Sequence, residues 1–332
     1  MALLDGNKAP DIQQAAQLLA QGKLLGMPTE TVYGLAANAT HALAVAQIFS
    51  TKGRPADHPL IVHVANATDA EHFANDIPAF AHTLMHAFWP GPLTLILPRR
   101  AGVASAAAGG QNSIGLRCPS HPVAHALLLT CQSLGVQGLA APSANRFGRV
   151  SPTTAQHVCA EFPELCVLDG GPCEVGIEST IVDCTRGEPV ILRPGMITRD
   201  QIERVCALAL STPGAQPAPK ASGTLEAHYA PHAKVRLMHA QQIDDALHVL
   251  LQTPGFDPRT LGIYGRTRPR HAAETILFMH MPGDPASAAA ELFAKLRAFD
   301  DLGVDLLWVE QPPNGLAWEG ITDRLRRAQA SA

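Results

Sequence analysis

Short apolar segments alternate with segments of helical periodicity along most of this chain, and the alternation limits its possible folds more than any other feature. Ile12, Ala15, Ala16 and Leu19 recur at helical spacing, and residues 23–27 then form an apolar run that ends at Pro28. Such alternation is typical of an α/β domain with a mixed sheet. It predicts further helices over residues 42–49, 80–88, 123–130, 154–159 and 199–208, and strands over 60–64, 93–97, 114–116, 138–140, 167–168, 180–183 and 190–192.

The composition changes over residues 211–222, where Pro, Gly and small residues predominate and no core could form. This segment is therefore predicted to be a linker. The segments that follow predict a smaller doubly wound domain, with strands over 235–238, 261–264, 276–279 and 306–309 and helices over 243–251, 286–300 and 321–328. It contains no G-x-G-x-x-G sequence, so we expect no dinucleotide there. The predicted domains are residues 1–210, a linker over 211–232, and 233–330.

The composition excludes several classes of protein. With 332 residues and a formal net charge of −4, the chain can bury a large core but lacks the strong positive charge of a typical RNA-wrapping protein. Its seven cysteines are an odd number without a C-x-x-C pair, which favours reduced core thiols over a disulfide framework. The first residues do not resemble a signal peptide, and no segment approaches the roughly 20 apolar residues of a membrane span, so we expect a cytoplasmic protein.

The densest group of reactive side chains is the segment PTETVYGL, residues 28–35. It places Thr29, Glu30, Thr31 and Tyr33 directly after a buried strand, where α/β sheets commonly hold ligands. The plain alternative is a strand-to-helix loop in which Thr or Glu caps the helix. Considered alone, the segment does not decide between a binding loop and a cap.

Two cations and a histidine follow the next predicted helix. Lys52 and Arg54 flank Gly53, and such a pair suits phosphate oxygens, because Arg offers a planar fork and Lys a mobile charge. A solvated surface loop is the alternative for an isolated pair of this kind. His63 ends an apolar strand, where a buried core histidine would be the usual explanation.

Later strand ends carry further polar groups. Arg117 leaves an apolar strand and needs an anionic partner, which could be a substrate carboxylate or a structural Asp or Glu. Ser143 and Asn145 follow another buried strand and could hold a nucleotide. Ser151 precedes a predicted helix and could be an N-cap, whereas Ser179 and Arg193 add a hydroxyl and a cation at other strand ends.

Taken in order, nine segments resemble the YrdC/Sua5 family of threonylcarbamoyl-AMP synthases over residues 24–195. They are PTETVYGL, KGRP, HPLIVHV, WPGPLTLIL, SIGLRCP, APSAN, SPT, GIESTIVD and LRPG. The sequence HYAP at residues 228–231 and the α/β tail resemble the longer Sua5 form, so the resemblance covers nearly the whole chain. It implies a YrdC-like twisted mixed sheet with a concave cleft, a linker that closes over the nucleotide as a lid, and a smaller Rossmann-like α/β C-terminal domain.

The resemblance also implies a reaction: L-threonine, bicarbonate and ATP, with Mg²⁺ on the ATP, give threonylcarbamoyl-AMP and pyrophosphate for the t6A modification of tRNA. A downstream tRNA threonylcarbamoyl transferase would use the product, with weak or no direct tRNA binding here, no membrane association and no organic cofactor. Lys52 and Arg54 are the implied catalytic residues, and no side chains are expected to ligate the metal. The implied threonine site comprises Thr31, His63, Arg117, Ala141 and Ser179. The implied ATP site comprises Lys52, Arg54, His58, Ser113, Ser143, Asn145, Ser151, Arg193 and Tyr229.

Two departures from the family pattern concern this site. His58 stands where many relatives have Asn, and residues 221–227 replace the Pro-Gly-Met and basic residues common before the His-Tyr pair.

Two other functions also fit the residues. One is an RNA-binding module that uses a basic cleft, and the other is an enzyme that forms an adenylate with a different amino acid.

Overall fold

The computed structural model describes residues 2–210, 219–225 and 227–331. The chain divides into two compact units. The first contains the described residues up to Phe147 together with those of Ser151–Thr224, and the second contains Gly148–Val150 with the described residues from Leu225 onward. Of the predicted linker, residues 211–218 and Glu226 lie outside the described part of the chain.

The first unit is built on a mixed sheet of ten described strands in the order β1-β8-β2-β3-β7-β4-β6-β5-β9-β10. Parallel pairs such as β4/β6 and β5/β9 alternate with antiparallel pairs such as β2/β3 and β5/β6. This arrangement confirms the predicted mixed sheet. The strands are β1 (Leu3–Asp5), β2 (Leu25–Met27), β3 (Gly34–Asn38), β4 (Ile61–His63), β5 (Leu93–Pro98), β6 (Ser113–Arg117), β7 (Leu139–Ala140), β8 (Val167–Asp169), β9 (Thr180–Asp183) and β10 (Val190–Arg193).

Helices bury apolar residues against the sheet, in two separate core clusters. One cluster includes Ile48 and Leu84, and the other includes Leu19 and Leu127. Fully burying one such side chain contributes about 1.5–3 kcal/mol, so these clusters dominate the stability of the unit. The helices are α1 (Ala9–Ala20), α2 (Ala42–Lys52), α3 (Ala70–Phe73), α4 (Ala79–Phe88), α5 (Pro122–Ser133), α6 (Ala155–Glu161) and α7 (Arg199–Cys206).

Local sequence explains where two of the helices that matter to the site begin or end. Helix α2 ends because Gly53 adopts a left-handed conformation, with φ of 65°, directly between Lys52 and Arg54. Helix α6 begins at Thr154, whose side chain accepts a hydrogen bond from the backbone N–H of His157. The N-cap is therefore Thr154 and not Ser151, which leaves the Ser151 hydroxyl for another contact.

The second unit contains a four-stranded, fully parallel sheet in the order β11-β14-β12-β13. Its strands are β11 (Lys234–Met238), β12 (Leu261–Gly265), β13 (Leu277–His280) and β14 (Leu306–Glu310). Its helices are α8 (Ala240–Leu250), α9 (Pro285–Asp301) and α10 (Glu319–Gln329). Short 3-10 turns cover Pro258–Thr260 and Leu316–Trp318, as one covers Ala67–Asp69 in the first unit.

Two other expectations can be compared with the structure. All seven cysteines are free thiols, as predicted, although Cys159, Cys166 and Cys206 are only partly buried. Among the described residues, no helix is long and apolar enough to cross a membrane.

Candidate active site

Arg117 is the centre of the first group of predicted site residues. It ends β6, and its Nη1 donates to Thr31 Oγ1 at 2.7 Å while its Nη2 forms an ion pair with Glu30 Oε2 at 2.7 Å. Both charged side chains are buried. Burial by itself raises the pKa of Glu30, but the adjacent guanidinium outweighs it and holds that pKa below its ordinary value. The anionic partner that Arg117 needs is therefore present within the chain.

His63 lies beside Arg117 because β4 and β6 are parallel neighbours in which His63 pairs with Arg117. The imidazole is buried, and burial together with the positive charge of Arg117 lowers its pKa to about 3. His63 is therefore neutral at physiological pH. A neutral imidazole beside a buried cation can give or accept a hydrogen bond without adding charge.

Ser179 and Arg193 form a second group at the same edge of the sheet. Ser179 Oγ lies 2.8 Å from Thr94 Oγ1, and the Ser179 carbonyl accepts from Arg193 Nε at 3.1 Å and Nη2 at 2.9 Å. Arg193 Nη2 also lies 3.2 Å from Ser179 Oγ. Because Ser179 directly precedes β9 and Arg193 ends the antiparallel strand β10, the register itself brings the hydroxyl and the cation together.

Lys52 reaches from the end of α2 to the loop after β7. Its ammonium donates to the carbonyl of Ser143 at 2.5 Å and also to the carbonyl of Asn145. Burial, reinforced by the nearby charge of Arg54, places the Lys52 pKa well below its ordinary value. Ala141 lies in the same loop, and its backbone N–H donates to the Ile61 carbonyl at 3.0 Å. The backbone group of Ala141 that could contact a ligand is therefore its carbonyl.

Arg54 and His58 both contact the ring of Phe147. The Arg54 guanidinium is 5.9 Å from the centre of the Phe147 ring, and the half-buried His58 meets the same ring edge-on at 5.6 Å. Burial and the charge of Arg54 both lower the pKa of His58. Arg54, His58 and Phe147 thus form one cluster, in which the Phe147 ring provides an apolar surface.

Ser222 connects the two arginines. Its Oγ accepts from Arg54 Nη2 at 3.1 Å and donates to Pro59 at 2.9 Å, while its carbonyl accepts from Arg193 Nη1 at 2.9 Å. Ser222 and Ser113 also line one small pocket, together with Lys220 and Ile181. The described part of the predicted linker therefore occupies a position between two cations that the resemblance assigns to ATP.

Ser151 contacts a carboxylate next to this group. Its hydroxyl donates to Glu178 Oε1 at 2.5 Å, and both side chains are buried. Since Glu178 directly precedes Ser179, this contact places Ser151 near the Ser179–Arg193 pair.

Tyr229, in contrast, lies in the second unit, where its buried ring stacks on Phe293 with 5.4 Å between ring centres. The assignment of Tyr229 to ATP remains a prediction.

Sequence reasoning did not identify four residues that hold this arrangement together. Glu30 was named only as part of its segment, and Thr94, Phe147 and Ser222 were not assigned any role. Glu30 could have been found, because it is the carboxylate nearest in sequence to Thr31, which also contacts Arg117. No sequence pattern marks the other three, because each contacts a site residue that is distant along the chain.

The first unit thus defines an α/β protein with cations and hydroxyls gathered around the strand ends of a mixed sheet, a class suited to binding small anionic molecules. The chain belongs to the YrdC/Sua5 family. The family model described as "Telomere recombination", which groups Sua5, YciO and YrdC proteins, matches residues 17–195. The model described as "Threonylcarbamoyl-AMP synthase, C-terminal domain" matches residues 197–330.

Curated relatives resemble the chain along almost its whole length. Threonylcarbamoyl-AMP synthase from Pyrococcus abyssi is 38% identical over 329 residues, which cover 96% of this chain and 93% of the relative. Threonylcarbamoyl-AMP synthase from Bacillus subtilis is 37% identical with the same coverage.

Solved structures have the same two-part fold. A double alanine variant of P. abyssi Sua5 matches with a TM-score of 0.88 and 33% identity, over 100% of this chain and 97% of that one. P. abyssi Sua5 in complex with L-threonine matches with a TM-score of 0.87 and 34% identity, over 98% and 95% of the two chains. These matches confirm the predicted fold class.

Proposed function

We propose that this chain is an L-threonylcarbamoyladenylate synthase, which converts L-threonine, bicarbonate and ATP into threonylcarbamoyl-AMP and pyrophosphate. The observation that carries the proposal is one continuous series of contacts, from Ser179 through Arg193 and Ser222 to Arg54. It joins a residue assigned to threonine with a residue assigned to ATP. The threonine complex of P. abyssi Sua5 and the names of the curated relatives support the same reaction.

The reaction requires alignment of two anions more than a strong nucleophile. The amine of threonine combines with bicarbonate to give a carbamate, with loss of water. An oxygen of the carbamate then attacks the α-phosphorus of ATP, the bond to the β-phosphate oxygen breaks, and pyrophosphate leaves. The protein can accelerate this step by holding the reactants in contact and by stabilising charge on the phosphates.

The threonine assignment rests on the group around Arg117. The fork of Arg117 would bind the threonine carboxylate, while Thr31, neutral His63, the Ala141 carbonyl and Ser179 would contact the amine and the side-chain hydroxyl. The Glu30 carboxylate holds one arm of the fork, so Arg117 is oriented before threonine arrives. A preoriented arginine reduces the entropy that binding costs.

The ATP assignment rests on the cations. Lys52, Arg54 and Arg193 would contact the phosphates, and His58, Ser113, Ser143, Asn145, Ser151 and Tyr229 would complete the nucleotide site. Mg²⁺ would enter with ATP on its phosphate oxygens, where it neutralises charge. Among the described residues no group of three or more His, Cys, Asp or Glu side chains is placed to hold a metal ion.

The wider assignments complete the proposal. Residues 1–210 form the catalytic domain, 211–232 the lid, and 233–330 the C-terminal domain. The product would pass to a tRNA threonylcarbamoyl transferase in the cytoplasm. Direct tRNA binding would be weak or absent, because the chain as a whole carries a net charge of −4.

Pyrophosphate release from the purified chain tests the proposal. We expect release that needs ATP, threonine and bicarbonate together, and that does not need tRNA. Lys52→Ala or Arg54→Ala should slow it strongly, whereas Lys23→Ala, which removes an exposed lysine before β2, should not. Release with another amino acid in place of threonine would favour the adenylate-forming alternative. Tight RNA binding without turnover would favour the RNA-binding module.

A further inference from the structure

The second unit contains an open pocket at the carboxyl ends of β11, β12 and β14. Its walls come from the start of α8, the ends of β12 and β14, and the loop that follows β12. In open parallel sheets this edge is where small molecules usually bind. From these walls and their charges, we propose that the pocket binds a small organic phosphate of the nucleotide class, independently of the reaction in the first unit.

Two acids, Asp244 and Glu310, and two arginines, Arg268 and Arg270, line the pocket. The carboxylate of Glu310 already contacts the Arg266 guanidinium, and its Oε2 accepts from the Arg266 backbone at 2.7 Å. Asp244 Oδ1 lies 3.1 Å from His271 Nδ1 and accepts from the His271 backbone at 3.1 Å. Both acids are therefore already held by neighbouring groups.

Arg268 and Arg270, in the loop after β12, are exposed and differently placed from Arg266. Arg268 stacks over the Phe278 ring at 5.7 Å and donates to the Ala273 carbonyl at 3.3 Å, and neither contact supplies a negative charge. Within the described parts of the chain, no hydrogen bond or ion pair involves the guanidinium of Arg270. Two arginines on one short loop match the oxygens of a phosphate group.

The rest of the lining suits the remainder of such a ligand. Ile243 and Ile263 give the pocket an apolar side, and Thr267 and Gln241 add a hydroxyl and an amide. Pockets with an apolar side and a few polar groups are typical of small-molecule sites. The sequence lacks the glycine-rich loop of a dinucleotide site, so a mononucleotide is the better match.

Hydrogen exchange measured by mass spectrometry on the full chain tests the proposal with AMP as the probe. AMP should protect peptides that cover residues 238–245 and 265–271. The double variant Arg268→Ala/Arg270→Ala should lose this protection and weaken AMP binding at the pocket at least about tenfold, since each charged hydrogen bond is worth more than a neutral one. Arg326→Ala, which removes an exposed arginine on α10, is the matched control and should keep both.

Two further ligands, inorganic phosphate and adenosine, show which part of AMP the pocket recognises. Inorganic phosphate should protect the same peptides at higher concentration, and adenosine should not protect them. Equal protection by adenosine and AMP, or protection that survives in the double variant, would overturn the proposal, as would no protection in the wild type. If the alanine pair lowers the melting temperature, Arg268→Gln/Arg270→Gln replaces it. Failure of the proposed synthase function would appear separately, as absence of pyrophosphate release from the wild type.

Discussion

Arg117 and Glu30 form an ion pair in which Nη2 and Oε2 lie 2.7 Å apart, and each side chain is only 4% exposed. A buried pair of this kind does more for orientation than for stability, because desolvation offsets much of the attraction. Removing one partner is nevertheless costly, since the other charge remains buried. The pair therefore connects the threonine site that we propose with the integrity of the fold.

Arg117→Lys should raise the threonine concentration needed for half-maximal rate by about 10- to 150-fold, corresponding to about 1.5–3 kcal/mol for a lost charged hydrogen bond. Lysine keeps a positive charge beside Glu30 but cannot contact Glu30, Thr31 and a carboxylate at the same time. The measurement is pyrophosphate release as a function of threonine concentration at saturating ATP.

The matched control is Arg186→Lys, because Arg186 also pairs with a buried carboxylate, that of Asp183, at 2.6 Å. This control should leave the threonine dependence unchanged even if it lowers the melting temperature. An Arg117→Lys variant with the same threonine dependence as the wild type would show that Arg117 does not bind the carboxylate.

ATP binding should be accompanied by uptake of protons at Lys52. Burial and the charge of Arg54 place the Lys52 pKa well below its ordinary value, and phosphate oxygens nearby would raise it again. Titration calorimetry at pH 8 in two buffers of different ionisation enthalpy measures the number of protons taken up. We expect a positive value for the wild type and a smaller one for Lys52→Met.

His58 is the control for this measurement, because its pKa is also lowered by burial and by Arg54. His58→Asn should keep the part of the proton uptake that belongs to Lys52. Equal uptake in the wild type and in Lys52→Met would mean that the Lys52 ammonium does not approach the phosphates.

Most elements were predictable from sequence because their apolar residues repeat with the period of a helix or form short runs. Two strands were missed for physical reasons. β1 is only three residues long, and β3 has the sequence GLAAN, whose small residues do not form a recognisable strand pattern. The segment PTETVYGL consequently leads into an antiparallel strand rather than a helix. Strand order also could not be predicted, because β8 lies between β1 and β2 despite its distance along the chain.

The candidate site was predictable as a set of strand ends but not as a set of contacts. The sequence predicts that Arg117 needs an anion, and it alone could not decide between a structural Asp or Glu and a substrate carboxylate. Ser222 lies in a segment whose composition indicated only a linker. Its contacts with Arg54 and Arg193 depend on tertiary packing, which residue periodicity does not record.

The free energy of unfolding should fall in acid because of His63. Its pKa is lowered to about 3 in the folded protein, whereas an unfolded histidine titrates near 6.5. Below about pH 6.5 the unfolded chain takes up a proton that the folded chain does not, so stability decreases as the pH falls towards 3. Between pH 7 and pH 5 this single group should cost about 2 kcal/mol, at about 1.4 kcal/mol per pH unit.

Urea unfolding of the wild type and of His63→Asn at the two pH values measures this effect. The variant should lose less stability than the wild type on acidification, by about the 2 kcal/mol expected for one buried histidine. His82→Asn, which changes an exposed histidine on α4, should behave like the wild type. Identical losses in the wild type and His63→Asn would contradict a neutral, buried His63.

Ser222→Ala should tighten ATP binding. In the structure the Ser222 hydroxyl accepts a hydrogen bond from Arg54, which the ATP phosphates would have to replace. A hydrogen bond to a charged group such as the Arg54 guanidinium contributes about 1.5–3 kcal/mol, so affinity should rise about tenfold or more. The Arg193 contact uses the Ser222 carbonyl and is kept in the variant. Thr224→Ala is the control, because the Thr224 hydroxyl donates to the Ala221 carbonyl within the same turn, at 2.9 Å. Calorimetric ATP affinity that is unchanged or weaker in Ser222→Ala would mean that this contact persists in the ATP complex.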